Sequence, residues 1–360
     1  MAKHVFLLAG EQSGDNLGAN LVREIKAQSP DTKLTAIGGD GMQAAGATLI
    51  THIRELNVMG FVEVLLHLPK IFRVYKRVKQ HLIATQPDWV ILIDYAGFNL
   101  KVAKLAKSLG IKVCFYVSPK VWAWKAGRIA KIKASVDLMA VLFPFEVPIY
   151  EKAGVPVMCV GHPLALNINH TKQDTGLTIG ILPGSRTQEL KRLMPTLLAC
   201  VKQTKATRPS AKFILPIAPN RSVQDFSAYD LTDIELTNDS VQKVSAHLHC
   251  AIVCSGTTTL ELALHHVPMV IVYKTSWLSY QIAKRVVRIP WIGLCNIVAE
   301  KLICPELIQH DATPEKICAA LEPLLADSPE HQAQMNAMEA LETKVRVEAG
   351  NAKLVDSLAI

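Results

Sequence analysis

No uncharged apolar run in this chain approaches the ~20 residues needed to span a bilayer, so an integral membrane protein is not expected. The apolar start, Val5–Leu8, is too short for a signal-peptide core and reads as a first strand. No Cys-x-x-Cys occurs. The eight cysteines are scattered through apolar runs and read as buried small hydrophobes in a reducing compartment. Cys250 and Cys254, with His247 and His249 nearby, come nearest to a zinc set and fit that reading less well than burial. No dense Lys/Arg block with interleaved aromatics appears, so nucleic acid is not expected as a partner despite a net charge of +8. No Asp-x-Asp occurs anywhere, which leaves a nucleotide-sugar enzyme without its usual metal-binding pair.

What remains is a globular composition. The 360 residues are half hydrophobic and 19% charged, enough for two domains with ample core. Apolar β-rich runs alternate with helical patterns throughout. Strands are expected at Val5–Leu8, Leu34–Ile37, Trp89–Ile93, Val113–Val117, Leu138–Val141 and Val157–Val160. Others follow at Thr178–Leu182, Phe213–Pro216, Ala251–Cys254 and Met269–Val272. Continuous apolar strands between helices predict α/β architecture with parallel sheets covered on both faces. The polar stretch Asn167–Gly176 reads as a linker between two such halves. The expected division is 1–166, a linker at 167–176, 177–335, and a helical segment at 336–360 that packs back on the N-terminal domain. Ligands of open parallel sheets bind beyond the C-terminal strand ends, so two facing sheets would enclose a cleft.

Two strand-to-helix turns carry the strongest chemical signal: Pro183-Gly184-Ser185-Arg186 and Ser255-Gly256-Thr257. Backbone N–H groups and a positive helix end at each suit a phosphate. Arg186 would grip a diphosphate with its fork of donors, and Glu261 would accept hydrogen bonds from a ribose. In the N-terminal half, Gly10-Glu-Gln-Ser-Gly-Asp15 is neither a dinucleotide fingerprint nor a P-loop. There Glu11 sits at the mouth of a first strand, and Ser13 or Asp15 is the expected N-cap. Asp94 ends another apolar strand, where burial would raise its pKa and make it a usable base. Trp122 and Trp124 follow a third strand and suit stacking on a sugar or covering an acyl chain, or simply packing of the loop. Met59, Phe61, Val62, Leu65, Leu66 and Leu68 are too many for one buried stripe and precede Lys70, Arg73, Lys76 and Arg77. That combination suits a helix resting on an anionic lipid surface, and a core helix with a dimer contact accounts for it nearly as well. Trp277–Arg288 shows the same pattern.

Taken in order, Gly10–Asp15, Val58–Leu65, Asp94–Asn99, Val-Ser-Pro-Lys-Val-Trp-Ala-Trp (117–124), Phe143–Glu146, Gly161-His-Pro, Leu-Pro-Gly-Ser-Arg (182–186), Ser255–Glu261 and Leu294–Ala299 resemble the lipid-A-disaccharide synthases. Ala96, Gln12 and Lys120 depart from that family's usual residues. The resemblance implies a glycosyltransferase-B fold, with two Rossmann-like parallel-sheet domains facing a central cleft. It implies an inverting, metal-independent enzyme with no cofactor. The expected substrates are UDP-2,3-diacylglucosamine and 2,3-diacylglucosamine 1-phosphate (lipid X), and the expected products are the β-1,6-linked disaccharide 1-phosphate and UDP. A homodimer with exchanged C-terminal parts, working on the cytoplasmic face of a Gram-negative inner membrane, is implied as well. On this view Asp94 is the base and Glu11 its alternate or an acceptor-orienting group. Gly184, Ser185, Arg186, Ser255, Gly256 and Thr257 hold UDP, Glu261 the ribose and Asn296 the donor side. Ser13, Asn99 and Trp122 complete the substrate contacts. A UDP-sugar 2-epimerase of the same architecture, or a membrane-docked nucleotide-binding module, are the alternatives.

Overall fold

The computed structural model describes residues 3–56, 68–122, 127–165, 168, 170, 173, 176–287, 289–346 and 350–360. The chain forms two compact units, Met1–Pro163 with Val347–Ile360, and Leu164–Arg346.

The first unit is built on seven strands: β1 (His4–Ala9), β2 (Lys33–Gly38), β3 (Thr48–His52), β4 (Trp89–Ile93), β5 (Lys112–Tyr116), β6 (Leu138–Val141) and β7 (Val157–Cys159). Their order is β3-β2-β1-β4-β5-β6-β7, and every pairing is parallel. All six residues of β1 and all five of β4 are buried. A sheet covered by helices on both faces has no solvent side, which is why these strands read as unbroken apolar runs. One face packs Phe6, Leu8, Val90, Leu92 and Phe115 against Val74, Val78 and Leu82 of the helix Leu68–Thr85 and Val102 and Ala106 of the helix Ala96–Ser108.

The second unit holds β8 (Thr178–Leu182), β9 (Lys212–Pro216), β10 (Glu235–Thr237), β11 (Cys250–Cys254), β12 (Met269–Tyr273) and β13 (Glu306–Ile308). The order is β10-β9-β8-β11-β12-β13, again all parallel.

Three strands were not anticipated: β3, β10 and β13. Each lies at a sheet edge, where burial is partial and a continuous apolar run is not required. The C-terminal residues divide between the units. The helix Pro329–Val345 belongs to the second, where Gln334 Oε1 accepts from the N–H of Met269 at 3.0 Å. The helix Gly350–Leu358 belongs to the first. There Trp89 Nε1 donates to the Leu358 carbonyl at 2.8 Å, and the Tyr116 hydroxyl donates to Asn351 at 2.9 Å.

Both sheets share one feature that matters for function. In the first unit the chain runs from β1 out to β2 and β3, then returns to β4 on the other side of β1. In the second it runs from β8 to β9 and β10, then returns to β11 beside β8. The topological switch points therefore lie between β1 and β4 and between β8 and β11, and in such sheets these are the places where ligands bind.

Candidate active site

At the first switch point Ala9 pairs with Ile93. Glu11 and Asp94 follow those two residues, so the two carboxylates leave the sheet from neighbouring strand ends. Asp94 and Tyr95 both adopt left-handed backbone, with φ of 48° and 45°. Such conformations cost about 1–3 kcal/mol each in non-glycine residues and persist only where surrounding bonds enforce them. Here the Asp94 N–H donates to the Tyr116 carbonyl at 2.9 Å. Asn99 Nδ2 donates to the carbonyls of Asp94 (2.7 Å) and Ile93 (3.2 Å). The Tyr95 ring lies against Gly10, where an added Cβ would fall 2.3 Å from the ring. Asp94 keeps an exposed face, yet the protein crowding its carboxyl pushes its pKa up, an effect offset in part by the Lys120 ammonium and the Tyr95 N–H. Glu11, half-buried, is the N-cap residue of the helix Gln12–Gln28, and its charge adds to the burial that raises the Tyr95 pKa.

Asn99, Ser13 and Asp15 take other roles than the ones expected, and Trp122 follows the packing alternative. Asn99 is fully buried and holds the Asp94 turn, so it is not placed to touch substrate. Ser13 is exposed, and neither it nor Asp15 caps its own helix. Asp15 is fully buried and reaches across to the turn after β2, accepting from the N–H groups of Gly39 (2.6 Å), Gly41 (2.9 Å) and Met42 (3.1 Å). Those orphan donors open the helix Asp40–Ala44, and a carboxylate satisfies them better than Ser13 could satisfy its own helix. Trp122 Nε1 donates to Glu146 Oε1 at 3.1 Å, and its ring meets Phe145 edge-on. Glu146 is an acid that sequence reasoning did not single out. It is 4% exposed, and burial raises its pKa against bonds from Ser118, Trp122 and Phe143. Its only signal was its place in the Phe143–Glu146 match.

At the second switch point the two turns flank β8 and β11, which pair side by side. They differ in chemistry. In the first, Gly184 has φ +99°, and a Cβ there would lie 2.4 Å from Glu189 Oε2. That oxygen accepts from the backbone N–H groups of Ser185 and Arg186, both at 3.1 Å. The donors expected to cradle phosphate are thus taken by a buried acid three residues into the helix Thr187–Thr207. Arg186 Nη1 also bonds Glu189, at 2.9 Å, but its side chain is 69% exposed. A second arginine, not anticipated, lies over the same turn. Arg221, in the loop after β9, donates to the Ser185 carbonyl (2.8 Å) and to Thr187 Oγ1 (2.9 Å).

The other turn is open. Gly256 and Thr257 are exposed, and Gly256, the N-cap residue of the helix Thr257–Leu264, has no side chain to cap it. The Thr259 N–H returns to the Gly256 carbonyl at 3.1 Å, and among the described residues the N–H groups of Thr257 and Thr258 have no partner, leaving a positive helix end. Ser255 Oγ is committed to the Ile292 carbonyl at 2.7 Å. Glu261, one turn along this helix, is half-buried, and burial raises its pKa. Asn296 is not at the surface of this edge. It is fully buried, donates to the Cys304 carbonyl and Glu306 (both 2.8 Å) and accepts from the N–H groups of Ile303 and Cys304 (both 2.9 Å). All its capacity is spent within the fold.

Met59, Phe61, Val62, Leu65, Leu66 and Trp124 lie outside the described residues, and of Leu68 only the backbone, opening the helix Leu68–Thr85, is described. Farther along, exposed Phe72 stands beside exposed Arg73 and Lys76. Trp277, Leu278 and Ile282 are exposed on the helix Trp277–Val286, which ends in Lys284 and Arg285. Among the described residues no helix is long and apolar enough to cross a membrane. Among the same residues, His170, His266 and Glu342 are gathered closely enough to hold a metal, whereas His247, His249, Cys250 and Cys254 are not.

Known proteins match this geometry. Solved structures share the fold at low identity: CalG4, the calicheamicin glycosyltransferase (TM-score 0.65, 16% identity, 99% of this chain and 98% of that one), and Acinetobacter baumannii MurG (0.61, 15%, 99% of each). So does the UDP-GlcNAc 2-epimerase of Neisseria meningitidis, solved with UDP-GlcNAc (0.65, 14%, 99% of each). The architecture is glycosyltransferase-B, as expected from the sequence. Sequence relatives are nearer. The lipid-A-disaccharide synthase of Geobacter metallireducens is 43% identical over 349 residues, 93% of this chain and 91% of the relative. That of Coxiella burnetii (strain Dugway 5J108-111) is 41% identical over 334 residues, 90% and 89%. The sequence model described as Lipid-A-disaccharide synthetase matches residues 5–358, and with both switch points and the relatives in agreement, the chain belongs to the lipid-A-disaccharide synthase family.

Proposed function

We propose that this enzyme transfers the sugar of UDP-2,3-diacylglucosamine to the 6-hydroxyl of 2,3-diacylglucosamine 1-phosphate, releasing UDP and the β-1,6-linked disaccharide 1-phosphate. The observation that carries the mechanism is the placement of chemistry at the switch points: acids at one, anion-binding groups at the other. The donor is α-linked and the product β, so one in-line displacement accounts for the change. Asp94 takes the proton of the acceptor hydroxyl as its oxygen bonds the anomeric carbon, and the bond to the diphosphate breaks on the opposite face. A raised carboxyl pKa makes Asp94 a stronger base than an ordinary aspartate. Glu11 orients the acceptor.

The leaving diphosphate is stabilised by the Arg186 guanidinium and by the uncapped N–H groups after Gly256. Arg221 is positioned to support the first of these. Because Glu189 occupies the N–H groups of Ser185 and Arg186, that turn acts through its arginine rather than its backbone. Glu261 holds the ribose. The fold neighbour solved with UDP-GlcNAc supports a UDP-sugar as donor. The exposed apolar and basic residues of the helices Leu68–Thr85 and Trp277–Val286 support work at an anionic membrane surface, and the family resemblance supports the cytoplasmic face of the inner membrane as that surface. A homodimer with exchanged C-terminal parts follows from the family resemblance.

Thin-layer assay of the two lipid substrates with purified enzyme tests the reading. Disaccharide and UDP should appear together. A UDP-sugar converted without disaccharide would indicate an epimerase, and UDP bound with both lipids unchanged would indicate a non-catalytic module.

A further inference from the structure

A concave apolar groove of about 840 Å³ lies in the first unit between the helices Leu68–Thr85 and Ala96–Ser108. Ile71, Phe72, Tyr75, Phe98 and Leu105 form its walls. Two of these, Tyr75 and Phe98, meet edge to face at 6.1 Å. Its polar lining comes chiefly from two exposed ammonium groups, Lys101 and Lys104, and from Ser108 at its far end. The volume is that of a small-molecule pocket. A surface that only rests on a bilayer presents a convex apolar face and has no use for a trough. The groove is also continuous with the catalytic turn in sequence and packing. Phe98 stands one helical turn beyond Asp94, its N–H bonds the Tyr95 carbonyl at 3.2 Å, and its ring lies 6.2 Å from that of Tyr95. From Phe98 to Ser108 the helix rises about 15 Å, close to the half-thickness of a ~30 Å bilayer core that one acyl chain occupies.

We infer that this groove binds one acyl chain of the phosphorylated acceptor lipid, with Lys101, the lysine nearer the Asp94 end, attracting its phosphate, and that its end at Leu105 and Ser108 limits the chain length accepted. The inference rests on the acceptor assigned under the proposed function. Each buried methylene is worth roughly fourfold in affinity, so a groove of this length discriminates steeply between short and long chains.

The test is a pair of groove-shortening variants, Ser108→Trp at the exposed end and Leu105→Trp one turn earlier, with thermal midpoints recorded for both. The kcat/KM ratio for long-chain against short-chain acceptor is measured in mixed micelles. Binding of each acceptor alone is followed by titration calorimetry. A drop of at least tenfold in the long-to-short ratio, in kcat/KM and in binding alike, is the expected result. An unchanged ratio with weaker flotation on anionic vesicles would overturn the inference and make the groove a membrane contact. An unchanged ratio with a lowered thermal midpoint would also overturn it and make these positions part of the protein's own packing. If the wild-type enzyme turns over neither lipid, the proposed function fails, and the binding ratio still decides the groove.

Discussion

The carboxyl edges of the two sheets are built alike and are chemically opposite. Each has its switch point where the first strand meets the fourth of its unit, β1 with β4 and β8 with β11. At the first, two acids leave adjacent strand ends, and one of them sits on a left-handed turn pinned by Asn99 and Tyr116. At the second, an arginine and an uncapped helix start take the same places. Topology therefore says where a sheet of this kind receives a ligand, while the one or two residues after each strand set the charge presented there. Within the second edge the comparison repeats on a smaller scale. The 184–186 turn closes on Glu189, and the 255–257 turn stays open. A carboxylate at the third helical position, or its absence, makes that difference.

The largest expected effect falls on the acid edge. Asp94→Asn should lower kcat by about 10²–10⁴-fold, with UDP affinity measured by calorimetry nearly intact. Wild-type kcat/KM should fall as pH drops through the raised Asp94 pKa, since the base must be ionised to accept a proton, and the Asn variant should lack that acid limb. A variant that keeps the limb would assign the base to Glu11 and break the contrast between the edges.

A smaller effect should follow Asn296→Ala, read as stability rather than binding. It leaves the buried N–H groups of Ile303 and Cys304 unpaired, at a cost of about 2–4 kcal/mol in chemical denaturation. Weakened UDP binding at unchanged stability would return Asn296 to the donor site.

Arg186→Ala should weaken UDP binding by about tenfold or more, the worth of a charge-assisted pair. If affinity holds, the open turn carries the diphosphate alone. Thr257→Val, which leaves the backbone N–H groups in place, should cost UDP no more than about threefold. A larger loss would mean that the hydroxyl, and not the helix start, is the donor there.

Much of this was legible before any fold was known. The central strands of both sheets were readable because strands buried on both faces must be apolar throughout. The edge strands β3, β10 and β13 were not, because partial burial leaves them no such pattern. Asp94, Glu11, Arg186 and Thr257 were legible as residues that end apolar runs and open helices. The burial of Asn99 and Asn296 was not, since a polar residue in a matched motif looks the same whether it meets a substrate or its own backbone. Nor was the reach of Asp15 to Gly39, or of Arg221 to Ser185, because both are contacts between distant parts of the chain.

The residue order alone determined the α/β class and the family, since both depend on local pattern. Only the tertiary structure decided which polar groups remain available for a ligand. Every hydrogen-bonding group in a folded chain is claimed first by the nearest satisfactory partner, and that partner is set by three-dimensional proximity. Glu189 claims the Ser185 and Arg186 N–H groups in this way, while the helix that opens at Thr257 starts from a glycine with no side chain to cap it.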